Sequence, residues 1–472
     1  MQRKFHTLWL LMLALFASVV PAAAQSANSH PPANIIFIIA DDLGYGNVSC
    51  FNPQSRIRTP NIDRLAQQGT RFTQFYAGSP VCAPSRCALM TGYHMGHAYI
   101  RGNAAQHLRP QDTTLAQQLQ AKGYATGMFG KWGLGEENDE GAPQFKGFSD
   151  FYGYLNQTHA HYYFTDHLFE LRDKQLKQVA TDSQYSHDLI MDHALDFVRE
   201  HKNGPFFLFL PVTIPHAELL LPQKYMQPFL NADGTSKLQP ETPFVQKGKN
   251  SYHSQAQPHA AFAAMVTKLD ADVGRLMQLL KELGLDENTY VFFTSDNGPH
   301  KEGGADPEYF NSSGPLRGIK RDVYEGGIRV PMIVRAPGKV PAGRTSNQVW
   351  AFWDVLPTLC NLSGAATPAN IDGYSFLPAI HGAPQTQQHD HLFWQFNEGQ
   401  LRQAVLQGNW KLVRFKTKGQ PEILELYNIS QDIGEKHNLA ARYPDRVKAL
   451  HAIMQQSVSP AANAAFDWSD LQ

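Results

Sequence analysis

The sequence predicts an α/β fold: a large central mixed β-sheet flanked by helices, followed by a smaller antiparallel sheet with a helix. Three observations carry this expectation. Continuous apolar runs rich in β-branched and aromatic residues, such as Asn34-Ile-Ile-Phe-Ile-Ile-Ala40, read as strands buried on both faces. Between such runs lie stretches with apolar residues at helical spacing, notably 184–201 and 259–283. After residue 390 the pattern changes to short strands at close intervals, the mark of an antiparallel sheet.

The first segment is an address. Arg3 and Lys4 precede an apolar run, Leu8 to Val20, that ends in Ala22-Ala23-Ala24. This is a secretory signal peptide, 1–24, cut after Ala24. Residues 25–33 are a polar, proline-containing leader. The expected location is the periplasm or the exterior. The apolar run is short for a membrane span, and none is expected later. The 472 residues suit a large domain over 34–370 and a smaller α+β subdomain over 385–472. A formal net charge of −1 offers no overall basic field for nucleic acid. Four cysteines, Cys50, Cys82, Cys87 and Cys360, are too few for a disulfide scaffold. Pairing among Cys50, Cys87 and Cys360 stays open.

The elements follow in order. The 34–40 strand ends in Asp41-Asp42, adjacent carboxylates that repel unless a cation holds them; hard oxygen ligands suit Ca²⁺ or Mg²⁺. Thr59 to Gly69 reads as a capped helix with Ile62 and Leu65 inward, and Arg71 to Ala77 as a strand. Cys82-Ala-Pro-Ser-Arg86 then opens a helix in which Leu89 and Met90 recur at helical spacing and Gly92 stops the turn. A cysteine there meets unpaired N–H groups and, one turn on, a guanidinium, which favour an anion or thiolate. Thr91 to Asn103, with His97 and Arg101, reads as a pocket wall. Thr114 to Gly123 is a helix with a capping box. The strand 124–129 delivers Gly130-Lys131, the strand 205–212 delivers Pro215-His216, and the strand 289–294 delivers Asp296-Asn297. A histidine so placed suits proton donation near neutral pH. Residues 219–257 read as an insertion or long loop. Then come Leu316-Arg317-Gly318-Ile319-Lys320 and Glu325-Gly-Gly-Ile-Arg329, with Glu325 and Arg329 spaced for pairing. A strand over 330–335, a short helix over 354–362, four short strands after 390 and a helix over 444–457 complete the chain.

Four apolar runs therefore end in charged or titratable groups at one sheet edge, where ligands bind in open α/β sheets. Three carboxylates with two lysines, an arginine and a histidine suit metal-assisted cleavage of an anionic ester, phosphate or sulfate alike.

The Cys82-Ala-Pro-Ser-Arg86 stretch, with its Thr91-Gly92 tail, resembles the signature of the type I sulfatases. The 320–331 stretch resembles that family's second signature, and Leu426-Tyr427-Asn428 with Asp432, Glu435 and Asn438-Leu439 resembles its C-terminal segment. The resemblance implies the alkaline-phosphatase-like fold and a formylglycine made from Cys82 by a formylglycine-generating enzyme. It also implies one Ca²⁺ per chain, held by Asp41, Asp42, residue 82, Asp296 and Asn297. In that reading a gem-diol at residue 82 attacks sulfur. Lys131, Lys320 and Arg86 stabilise anionic oxygens, Arg86 mainly by supporting residue 82, and His216 protonates the leaving alcohol. His97, Arg101 and Arg317 are candidates to bind substrate, a sulfated carbohydrate or aryl sulfate. The family's Gly-Lys-Trp-His-Leu-Gly has Gly133 in place of its histidine here, so another group, His97 or water, is expected to substitute. Two alternatives stand beside a sulfatase: a phosphomonoesterase or phosphodiesterase of the same superfold, and a non-catalytic sulfoglycan-binding protein.

Overall fold

The computed structural model describes residues 32–104, 106–248 and 251–471. The signal peptide and nearly all of the leader lie outside the described residues.

The central sheet contains β1 (Asn34–Ala40), β2 (Thr70–Tyr76), β3 (Ala125–Lys131), β4 (Asp150–Tyr154), β5 (His167–Arg172) and β6 (Gln175–Ala180). It continues with β7 (Phe206–Pro211), β8 (Thr289–Ser295), β9 (Arg329–Arg335), β10 (Arg344–Ser346) and β11 (Trp350–Ala351). Its order is β10-β2-β9-β8-β1-β7-β3-β4-β5-β6, with β11 paired to β2. The stretch β8-β1-β7-β3-β4 is parallel throughout, while β9 and the β5–β6 hairpin run antiparallel to their neighbours. The sheet is therefore mixed, as its apolar runs lead one to expect. The strands that end in Asp296-Asn297, Asp41-Asp42, His216 and Lys131 are four consecutive parallel neighbours, so their carboxyl ends share one edge.

Alternation along β1 explains the two-sided burial. Ile35, Phe37 and Ile39 enter one core, and Ile36, Ile38 and Ala40 enter the other. Helices Cys82–Thr91, Leu115–Ala121 and Val355–Ser363 supply residues to the first core. Helices Pro60–Gln67, Ser186–Glu200 and Pro258–Glu282 supply the second.

The second sheet, β12 (Leu392–Asn397), β13 (Leu401–Gln407), β14 (Trp410–Lys416) and β15 (Ile423–Asn428), is a four-stranded antiparallel meander. Phe393, Val405 and Leu412 on one face pack with Leu450 and Met454 of helix Pro444–Gln456. Trp394, Ala404 and Val413 on the other face join the first core of the central sheet. The Trp394 Nε1–H donates to the Ala77 carbonyl across this boundary, at 2.8 Å. Glu325 binds Lys411 at 2.9 Å and Arg329 at 3.2 Å, so the Glu325–Arg329 pair does form and belongs to a buried joint between the sheets.

One feature differs from the sequence reading. The β5–β6 hairpin was not legible. It turns through Asp173 and Lys174 at φ 52° and 63°, without the glycine that normally marks such a turn, and β6 is largely exposed. The cysteine pairing left open by the sequence is answered: all four are free thiols, and Cys87 and Cys360 are buried as small apolar side chains.

Candidate active site

The site forms where β1 stops. Asp42 has φ 61°, a left-handed conformation that aspartate tolerates better than most residues. In an extended strand the side chains of Asp41 and Asp42 would point to opposite faces. The break lets both reach one point: Cys82 Sγ lies 3.2 Å from Asp41 Oδ1 and 3.8 Å from Asp42 Oδ1. Cys82 is the first residue of helix Cys82–Thr91, which Gly92 ends at φ 78°. From the sequence a thiolate was plausible there, beside the plainer reading of a buried cysteine. Burial, and secondarily the Asp41 carboxylate, instead push this thiol well above its ordinary range, against the pull of Lys131 and Lys320. Burial thus works against a thiolate at an unmodified Cys82.

The cations are fixed by the carboxylates. Lys131 Nζ is 2.7 Å from Asp41 Oδ2. Arg86 forks onto Asp296 Oδ2 from Nε at 3.2 Å and Nη2 at 2.8 Å, and its Nη1 donates to the Lys131 carbonyl. Lys320 Nζ lies 2.8 Å from Asp42 Oδ2, 2.8 Å from His216 Nε2 and 3.2 Å from Glu302 Oε2. All are buried. Burial alone would raise Asp41 and Asp42; the field of Lys131, Lys320, His216 and Arg86 holds Asp41 well below the usual carboxylate range, and Lys320 and His216 lower Asp42. Asp296, buried beside Asp41, is raised to about 6.

These residues suit a divalent cation. Asp41, Asp42, Cys82 and His216 bring ligand atoms within 4.8 Å of one another, Asp296 Oδ1 accepts from the Asp42 N–H at 3.1 Å, and Asn297 donates Nδ2 to Asp42 Oδ1 at 2.6 Å. Its Oδ1 is buried without a hydrogen-bond partner. An orphaned amide oxygen beside carboxylates is a hard donor set with a place for an ion such as Ca²⁺.

His216 donates Nδ1–H to the Ala217 carbonyl, which turns Nε2 toward Lys320, Asp42 and Glu302. Sequence reasoning missed several groups around it. Glu302 links Lys320 and His216 to Arg321, whose Nη1 lies 2.6 Å from Oε1. These cations hold Glu302 far below its ordinary range although burial opposes them. His300 and His161 lie on either side of the His216 ring, with centroids at 5.2 and 4.8 Å and planes within 13° and 4°. The one available signal was the density of histidine in Thr158 to Tyr163 and of charge in His300-Lys301-Glu302.

The three substrate-binding candidates each have partners within the protein. His97 Nδ1 pairs with Asp372 Oδ1 at 2.8 Å, beside His94, beyond the far end of helix Cys82–Thr91. Arg101 is buried and donates to Ala98 O, Ser459 O and Ser459 Oγ. Arg317 stacks on Tyr324 and donates to the Tyr427 hydroxyl and the Glu435 carbonyl, a contact with the second sheet. A sulfate oxygen would have to displace these partners.

A cavity of about 710 Å³, lined by Phe244, His259, Lys301, Asp306, Gly318 and Ile319, borders the segments that carry Glu302 and Lys320. The 219–257 insertion thus forms one wall of a recess.

The family model "Sulfatase" matches residues 33–365, and the model "N-sulphoglucosamine sulphohydrolase, C-terminal" matches residues 319–460. The chain is 31% identical to the N-acetylgalactosamine-6-sulfatase of Canis lupus familiaris, over 85% of this chain and 75% of that protein. It is 28% identical to the N-acetylgalactosamine-6-sulfatase of Sus scrofa, over 95% and 90%. Among solved structures, Ps i-CgsB in complex with k-i-k-neocarrahexaose superposes with a TM-score of 0.74 at 28% identity, covering 93% of this chain and 94% of that one.

Proposed function

The chain belongs to the sulfatase family, hydrolases of sulfuric esters, and from that premise we propose that it removes sulfate from a sulfated carbohydrate using formylglycine made from Cys82. One observation carries the reading: at the shared edge of four parallel strands the thiol of Cys82 touches the Asp41 and Asp42 carboxylates, which in turn hold Lys131 and Lys320, with Asp296 on Arg86 and the orphaned Asn297 oxygen beside Asp42. The carbohydrate class is supported by relatives named as N-acetylgalactosamine-6-sulfatases and by the neocarrahexaose complex of a similar structure. Export, maturation by a formylglycine-generating enzyme and one Ca²⁺ per chain belong to the same proposal. No helix among the described residues is long and apolar enough to cross a membrane.

The roles follow from position. Asp41, Asp42, Asp296, Asn297 and residue 82 would hold a divalent ion, which would supply Lewis-acid polarisation. Formylglycine supplies, as its hydrate, a hydroxyl nucleophile in place of a thiol whose ionisation burial opposes. Lys131 and Lys320 are anchored by carboxylates at the position that sulfate oxygens must approach, so they bind the ester and meet its growing charge without reorganising. Arg86 positions Asp296 and the carbonyl of Lys131. His216, held by Ala217, directs Nε2 at the leaving oxygen and donates its proton there, and Glu302 holds both His216 and Lys320. The recess lined by Phe244 and His259 leaves room for the rest of the sugar. The net reaction consumes one water and yields an alcohol and sulfate.

Intact mass spectrometry of protein matured with the converting enzyme tests this directly. An aldehyde at residue 82, with turnover of aryl sulfate far above aryl phosphate, is the expected result. A free thiol in a protein that turns over sulfate esters at full rate would overturn the mechanism, and preference for phosphate would overturn the substrate class.

A further inference from the structure

Glu302 uses its two oxygens in opposite directions. Oε2 faces the chemistry, 3.2 Å from Lys320 Nζ and 3.3 Å from His216 Nε2. Oε1 accepts from Arg321 Nη1 at 2.6 Å. The same guanidinium donates Nε–H to Glu398 Oε2 at 2.8 Å. Glu398 lies in the turn between β12 and β13, so one arginine joins a carboxylate of the second sheet to the catalytic edge of the first. Arg321 is itself pinned. It has φ 77°, a left-handed conformation uncommon for a residue with a long side chain. Its N–H donates to the carbonyl of Pro80, two residues before Cys82, at 2.9 Å. Its carbonyl accepts from Arg402 Nη1 of β13 at 2.6 Å. Such a backbone persists only where its surroundings over-determine it, as these two bonds do. Arg321 and Glu398 are 39% and 40% exposed, so their ion pair contributes little to stability. What it fixes is direction, because a planar guanidinium donates along set lines.

We propose that Arg321, held by Glu398 of the second sheet, is a positioning residue that keeps Glu302 from closing on His216 and so leaves His216 Nε2 free to give its proton to the leaving alcohol. The proposal rests on the sulfatase reading, in which His216 is the proton donor. With Oε1 on Arg321, Glu302 offers only Oε2 to Lys320 and His216. Without Arg321, Oε1 also turns to the nearest donors, and those are Lys320 Nζ and His216 Nε2. Glu302 then draws Lys320 away from Asp42, its partner at 2.8 Å on the other side. It also competes with the leaving oxygen for the proton on Nε2. The loss falls on proton transfer. An ester whose leaving group is a stable anion needs that proton little, and an ester of a more basic alcohol needs it most. The second sheet thereby acts on the reaction without touching the substrate.

The test uses the matured, Ca²⁺-loaded protein, the variants Arg321→Asn, Arg321→Lys and Glu398→Gln, and two esters, 4-nitrophenyl sulfate and phenyl sulfate. Asparagine tolerates the left-handed backbone, so Arg321→Asn removes the guanidinium without straining the chain. Glu398→Gln lies in an exposed turn and stays usable if the first variant folds poorly. Losing a proton donor outright slows a reaction about 10²–10⁴-fold, and misplacing it should take roughly tenfold more from phenyl sulfate than from 4-nitrophenyl sulfate in kcat/KM. Glu398→Gln should show a smaller shift in the same direction. Arg321→Lys, which keeps the charge without the fork, should fall between wild type and Arg321→Asn. Equal losses on the two esters would reveal a structural role only and overturn the proposal, as would unchanged rates on both. Wild-type selectivity in Glu398→Gln would overturn the part assigned to the second sheet. A wild-type protein without an aldehyde at residue 82 would overturn the sulfatase chemistry itself, and intact mass shows this before any variant is made.

Discussion

Lys320→Met removes a cation from the most connected point of the site, and its two consequences should separate. Lys320 Nζ lies 2.8 Å from an Asp42 oxygen and 3.2 Å from a Glu302 oxygen. At 2.8 Å, two unit charges attract by about 6 kcal/mol at an effective dielectric near 20. Desolvation opposes that gain, and breaking a buried pair costs about 3–5 kcal/mol net. Asp42 keeps Asn297 and His216, and Glu302 keeps Arg321, so the lower end is expected. In the reaction, losing one preorganised charge costs about 2.7–4 kcal/mol, or roughly 10²–10³ in kcat. Calcium distinguishes the two effects. A bound ion compensates Asp42, so the stability loss should shrink on adding Ca²⁺, while the rate loss should not. Denaturant unfolding with and without Ca²⁺, beside kcat on an aryl sulfate, measures both. A less than tenfold fall in kcat in folded, loaded enzyme would show that Lys320 does not face the ester. A stability loss indifferent to Ca²⁺ would show that the ion is not at Asp42.

Two further outcomes are expected. Chelation should abolish turnover and Ca²⁺ restore it at one ion per chain by calorimetry, with Asn297→Ala weakening binding about tenfold or more, ~1.4 kcal/mol; unchanged affinity would remove Asn297 from the ligands. Burial, and then Glu325, raise Glu435 to about 7 despite Lys411. A raised acid contributes stability that is complete below its unfolded value of 4.5 and is lost as pH rises through about 7. Thermal melts across that window should show the wild type losing stability relative to Glu435→Gln, and a constant difference would refute the assignment.

Much of the site was legible because strand and chemistry are covalently joined. Asp41-Asp42 directly follow an apolar run, Lys131 ends another, and Asp296-Asn297 follow a third. The α/β reading then places such ends on one edge. The β5–β6 hairpin was not legible, because Asp173 and Lys174 turn it without a glycine. The partners of His97 and Arg101 were not legible either, because polar density in a loop marks structural pairs as readily as a pocket. His161 and Glu302 lie in stretches dense in histidine and charge, but that density does not tell a solvated side chain from one that stacks on His216 or pairs with it.

The sequence by itself determined the strands, the groups at their ends and the helix that begins at Cys82, since periodicity, caps and adjacent residues are local and survive without long-range information. Only the tertiary structure decided that β8, β1, β7 and β3 are consecutive neighbours, that Asn297 has a vacant oxygen, that burial works against a Cys82 thiolate and that Arg321 joins Glu302 to Glu398. Each of these depends on desolvation and on distances between residues far apart in the chain, and such quantities exist only once the sheet has assembled.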